Sequence, residues 1–177
     1  MNPMPTDPSP SPITQLSALD RAEFVARLGG IFEHSPWVAE RSWAARPFAS
    51  FDTLHAAMVA TMRRASRDEQ LALIRAHPEL AGKEAEAGTL TRESTGEQKG
   101  AGLDQCSQAE LERLRTLNAA YRTRFGFPFV IAVKGLTRYQ IMEAVERRLN
   151  HDAETEFETC LNEIARITRA RLEAQFG

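Results

Sequence analysis

The feature that most constrains this chain is the spacing of its apolar residues. They recur at intervals of three and four from the N-terminal third to the end. Phe24, Val25, Leu28, Ile31 and Phe32 form one stripe, and Phe51, Leu54, Met58, Val59 and Met62 another. Leu111, Leu114, Leu117, Tyr121 and Phe125 form a third, followed by Ile141, Val145 and Leu149 and by Phe157, Leu161, Ile164, Ile167 and Leu172. That period belongs to amphipathic helices. Ser17, Ser50, Ser66, Ser107 and Thr137 stand where N-caps are expected. The pattern predicts an all-α, single-domain bundle of roughly seven to nine helices.

Two stretches break the pattern. Met1 to Gln15 hold five prolines (Pro3, Pro5, Pro8, Pro10 and Pro12). Such a composition builds no core, so residues 1–15 are expected to be a disordered tail and 16–177 the domain. Phe127-Pro128-Phe129-Val130-Ile131-Ala132-Val133 is β-branched and aromatic, like a strand, but has no second strand to pair with. A short buried extended segment is expected there. Its N–H and C=O groups need partners, and a polar ligand is one candidate.

Charge and composition exclude several classes. Hydrophobic content is 42%, charged content 26% and net charge −2, without a basic stripe. A nucleic-acid partner is not expected. No apolar run reaches the length of about 18–20 residues that a membrane span needs, and no signal-peptide core is visible. The last residues, Gln175-Phe176-Gly177, are not a peroxisomal address, so a cytoplasmic location is the expectation. Cys106 and Cys160 stand alone and read as reduced thiols. His34, His55, His77 and His151 lie far apart, with no metal-ligand spacing, and no metal is expected.

The stretch that invites a functional reading runs from His77 to Gln98. Pro78 pushes its predecessor out of the α region, so the helix carrying Leu71, Leu73 and Ile74 should end at His77. Ser94-Thr95-Gly96-Glu97 fits a capping box, with Ser94 as cap. An imidazole at one helix end and a carboxylate at the next helix start can share a cleft. Structure alone would also explain both, since Glu97 can serve the cap and a histidine suits a helix C-terminus. Arg171 lies seven residues beyond Ile164, on nearly the same face of the last helix. A cation there either snorkels outward or meets an anion.

Taken together, His77-Pro78-x-Leu80, Ser94-x-x-Glu97-Gln98, Asn118-x-x-Tyr121, Phe127-Pro128-Phe129-Val130, Glu156 and Arg171-Leu172 resemble the OHCU decarboxylase family over roughly residues 13–173. The resemblance implies an all-helical, cofactor-independent carboxy-lyase, usually a homodimer. Its substrate would be the anionic 2-oxo-4-hydroxy-4-carboxy-5-ureidoimidazoline and its product (S)-allantoin, in urate degradation. His77 matches the family's catalytic histidine and Glu97 the acid paired with it. Pro78, Ser94 and Gln98 match substrate-binding positions, and so do Phe129, Val130, Ile131, Ala132 and Val133. Arg171 matches the arginine near the end of the last helix. A glutamate beside His77 would set its tautomer and raise its pKa. The alternative is a non-catalytic helical binding module or sensor for purine breakdown products, using the same cleft.

Overall fold

The computed structural model describes residues 9–177, and it is helical almost throughout. In chain order the α-helices are α1 (Pro12–Ala18), α2 (Arg21–Leu28), α3 (Trp37–Ser42), α4 (Phe51–Arg64), α5 (Arg67–Ala76), α6 (Lys83–Ala87), α7 (Arg92–Gly100), α8 (Gln108–Phe125), α9 (Arg138–Arg148) and α10 (Ala153–Phe176). Short 3-10 turns follow at Trp43–Ala45 and Leu103–Gln105. No strand occurs among the described residues, in keeping with the all-α expectation.

The ten helices among the described residues exceed the expected seven to nine because the chain between His77 and Gln98 is not simply a loop. It contains α6 and the start of α7. The tail expectation also needs a correction. Ser11 caps α1, its hydroxyl accepting from the N–H of Thr14, and Leu16 is buried. The prolines of this stretch do not forbid the helix, because Pro12 occupies the first position, where the missing N–H costs nothing. The expected disorder of residues 1–8 lies outside the described residues. Ser17 is inside α1, and Asp20 rather than Ser17 caps α2.

Capping boxes close α5 at Ser66/Glu69, α8 at Ser107/Glu110 and α9 at Thr137/Gln140, as their sequences predict. α10, with 24 residues, is the longest helix and runs against α4 and α5. α2 packs on α3, α3 on α4, and α8 on α9. One continuous core threads these layers, from Phe24 and Leu28 through Met58, Ile74 and Tyr121 to Phe157, Ile164 and Leu172.

The segment 127–133 is extended and unpaired by any strand. Side chains satisfy part of its backbone. The Arg148 guanidinium donates to the Val130 carbonyl (2.7 Å), and the Ala132 N–H donates to the Glu163 carboxylate (2.9 Å). Behind it Arg148 and Glu156 form a buried ion pair of 2.5 Å. Tyr121 donates its hydroxyl to Glu156 (2.5 Å), and His151 Nδ1 lies 3.0 Å from the same carboxylate. Burial and the neighbouring Cys160 push the Tyr121 hydroxyl pKa up, so it stays a donor.

Candidate functional site

α5 ends as Pro78 dictates. His77 is its C-cap, with extended backbone, and its N–H donates to the Ile74 carbonyl (3.2 Å). The chain then turns sharply. Ala81 adopts φ +51°, a left-handed conformation that a residue with a Cβ rarely holds without support. The support comes from two amides. Gln98 accepts from the Ala81 N–H (2.9 Å), and Asn118 donates to the Leu80 carbonyl (3.0 Å). Gln98 thus fastens the turn that carries His77.

α7 supplies the opposite wall, but not as a capping box at Ser94. Its cap is Thr91, whose hydroxyl accepts from the Ser94 N–H (3.2 Å). Ser94 lies one turn inside the helix. Ser94, Glu97 and Gln98 therefore share one face, at the i, i+3, i+4 spacing. That frees Glu97 from any capping role and turns it toward its tertiary partners.

These partners differ from those the sequence suggests. Glu97 receives two hydrogen bonds from Arg171, at 2.7 Å from Nε and 3.1 Å from Nη2. Arg171 does not snorkel: it is 5% exposed. Its Nη2 also meets Glu33 at 2.7 Å and Ser94 Oγ at 3.3 Å, and its Nη1 donates to the Ile31 carbonyl (3.3 Å). Glu33, in the turn after α2, is 1% exposed. It accepts from the hydroxyls of Thr91 (2.9 Å) and Ser94 (3.2 Å to each oxygen). Burial alone would raise its pKa. The charge of Arg171, with hydrogen bonds from Arg171 and Thr91, outweighs burial and holds Glu33 below the usual carboxylate range.

His77, Pro78, Leu80, Ser94, Glu97, Gln98, Phe129, Val130, Ile131, Val133 and Ile167 enclose one cleft of about 340 Å³, its open mouth included. The structure thus gathers nearly every residue singled out from the sequence. Ala132 is not on the wall, its N–H being held by Glu163. Arg171 stands behind the wall, reaching it through Ser94 and Glu97.

His77 is 7% exposed, and its Nε2 has no hydrogen-bond partner in the protein. Burial drives its pKa down to about 4; Glu33 opposes that, and Arg171 and His34 add to it. The imidazole is therefore neutral at neutral pH. This corrects the expectation that an acid would raise it: Glu97 is committed to Arg171, and desolvation dominates.

Sequence reasoning missed Glu33 and Thr91. No local signal marks them, since Glu33 lies 58 residues from Thr91 and 61 from Ser94. Among the described residues no group of three or more His, Cys, Asp or Glu is placed to hold a metal ion.

The family model described as OHCU decarboxylase matches residues 17–173. The 2-oxo-4-hydroxy-4-carboxy-5-ureidoimidazoline decarboxylase of Haloferax volcanii is 46% identical over 165 residues, covering 93% of this chain and 96% of its own. The protein of that name from Mus musculus is 38% identical, covering 93% of each chain. A crystal structure of (S)-allantoin synthase superposes with a TM-score of 0.75 at 33% identity, covering 95% of this chain and 54% of its own.

Proposed function

The chain belongs to the OHCU decarboxylase family, and on that premise we propose that it decarboxylates 2-oxo-4-hydroxy-4-carboxy-5-ureidoimidazoline to (S)-allantoin, a step of urate degradation. The observation that carries the reading is a buried, unpartnered imidazole nitrogen on the wall of a cleft, with a buried guanidinium network behind the Ser94 and Glu97 wall of the same cleft.

The substrate bears a carboxylate and a hydroxyl on one ring carbon. When the carbon–carboxylate bond breaks, CO₂ leaves and the electron pair passes into the adjacent C=N and amide system. Overall the anion loses CO₂ and gains one proton. Arg171 recognises the carboxylate, because a guanidinium edge matches it with two parallel N–H bonds. That edge is held by Glu97, whose side chain is 31% exposed, so the incoming carboxylate exchanges with it. Ser94 Oγ and Gln98, on the same helical face, meet the polar ring edge. The backbone of Phe129 to Val133 lies along the ureido group, with Pro78 opposite.

His77 enters neutral and with Nε2 free, as a base. It takes the hydroxyl proton as the carbon bearing that hydroxyl becomes a carbonyl, then delivers a proton to one face of the neighbouring ureido-bearing ring carbon. Glu97, released from Arg171, supports the transient imidazolium. The expected working form is a cytoplasmic homodimer; no described helix is long and apolar enough to cross a membrane, and sedimentation velocity measures the assembly.

The test is a circular dichroism trace of freshly generated substrate with and without the protein. The decarboxylase reading requires fast appearance of one allantoin enantiomer. Binding without acceleration would favour the sensor alternative and end the catalytic one.

A further inference from the structure

The mechanism above leaves one buried charge unused. Glu33 is enclosed, yet every hydrogen bond its carboxylate accepts leads to the cleft. Thr91 caps the helix that bears Ser94 and Glu97, Ser94 lines the cleft, and Arg171 binds Glu97. The arrangement holds two carboxylates against one guanidinium, an excess of one negative charge next to a site meant for an anion. A purely structural ion pair for Arg171 needs one carboxylate, and of the two Glu33 is the enclosed one.

We propose that Glu33 is a positioning residue for the reaction in this cleft: a fixed carboxylate that anchors Arg171 and Ser94 from behind and supplies the standing negative charge against which His77 takes up its proton. The inference rests on the decarboxylase reading of the site. Glu33 fits the role of a fixed charge better than Glu97, which acts only after the substrate has released it from Arg171, on three counts. Three donors hold it, whereas Glu97 has Arg171 alone. It is 1% exposed and Glu97's side chain is 31% exposed, so Glu33 stays where Glu97 can swing. Among the described residues the other bases near its charge are His77 and His34, the latter with Nε2 3.8 Å away and its side chain largely in solvent.

The charged groups acting on His77 are accounted for from each side. Glu33 and His34 come from the turn after α2, Arg171 from α10, and Glu97 faces the same cleft from α7. Of these, Glu33 opposes the burial of the imidazole and favours its protonated form. Without that charge the desolvated imidazole would be a weaker base still.

The experiment compares the full chain with Glu33→Gln and Glu33→Asp. Both kcat and KM are followed with fresh ureidoimidazoline substrate from about pH 2.5 to 8, a range that brackets the His77 value of about 4 and in which kcat reports groups in the bound complex. Glu33→Gln keeps the shape and can still bond the hydroxyls, but removes the charge. We expect kcat to fall about tenfold and the acid limb of its pH profile to move down by about one pH unit, a weaker base being a poorer catalyst. KM should stay level or fall, because the site loses a negative charge. Glu33→Asp should move the limb the same way by less, and carries the test if the glutamine variant does not fold. A structural anchor would lower the melting temperature and leave the limb in place. An unmoved limb, or a loss confined to KM, overturns the proposal. Independently of turnover, the NMR titration midpoint of His77 in the free protein should be lower in Glu33→Gln than in wild type; an equal midpoint overturns the proposal too. Absence of turnover in the wild-type protein would instead sink the decarboxylase reading.

Discussion

Arg148 and Arg171 are both buried guanidinium groups paired with carboxylates, and each lies behind a different part of the cleft lining, Arg148 behind Val130 and Arg171 behind Ser94 and Glu97. Arg148 is balanced and closed. It faces one acid, Glu156, at 0% exposure, and spends its other donors on the Val130 carbonyl and, at 3.6 Å, on Cys160 Sγ. Its guanidinium carbon also lies 4.3 Å over the Phe129 ring. Glu156 in turn is filled by Tyr121 and His151. Arg171 is overbalanced and open, with two acids, one of them on the cleft surface. The difference separates a scaffold from a reactive site. A buried pair whose members are all satisfied by protein has nothing left for a ligand, and it fixes the geometry of the segment it holds. A pair with one exchangeable partner can give up that partner to a substrate carboxylate.

The comparison can be broken by five measurements. The largest effect belongs to the open side. His77→Asn should lower kcat by about 10²–10⁴-fold, the usual contribution of general acid–base catalysis, with binding of (S)-allantoin kept. Near-wild-type turnover in this variant would remove His77 from the chemistry.

On the closed side, Arg148→Met should cost about 3–5 kcal/mol of stability in urea denaturation, because Glu156 is left charged and enclosed. A change below about 1 kcal/mol, the range of exposed ion pairs, would show the pair to be no scaffold. Arg171→Ala divides differently. It should cost about 2–5 kcal/mol in kcat/KM, as for a buried charge pair left single, and Arg171→Lys should recover only part of it, since the planar fork is lost. If its loss appeared in stability alone, the two arginines would be equivalent and the contrast would fail.

The smallest effect is in pH. His77 is held at about 4 in the folded chain, below its ordinary value of 6.5, so between these values the unfolded state binds more protons than the folded one. Its contribution to stability is complete above about pH 6.5 and is lost as the pH falls toward 4. Over that interval the loss amounts to about 3 kcal/mol. His77→Asn should therefore lose less stability on acidification than the wild type; parallel curves would mean that the imidazole is not desolvated.

Glu97→Gln separates the two roles considered for Glu97. With Thr91 as the cap of α7, the melting temperature should hardly change, while kcat falls. A stability loss with normal turnover would return Glu97 to a structural part.

What could be read from the sequence was local. The 3.6-residue stripes, the boxes at Ser66, Ser107 and Thr137, and the stop at Pro78 all rest on contacts within one turn, so neighbouring residues encode them. The extended stretch at 127–133 was legible for the same reason, by its departure from helical spacing. Most of the cleft wall was named too, through the motif resemblance rather than periodicity. Local signals also misled: Ser94-x-x-Glu97 has the spacing of a capping box, and only the start of α7 at Arg92 shows the same spacing as a helix face. Which charges meet was decided by tertiary structure alone. The turn after α2, α7 and α10 bring Glu33, Glu97 and Arg171 together, and burial sets the protonation of His77. Desolvation and ion pairing depend on what surrounds a group in space, and no spacing along the chain carries that information.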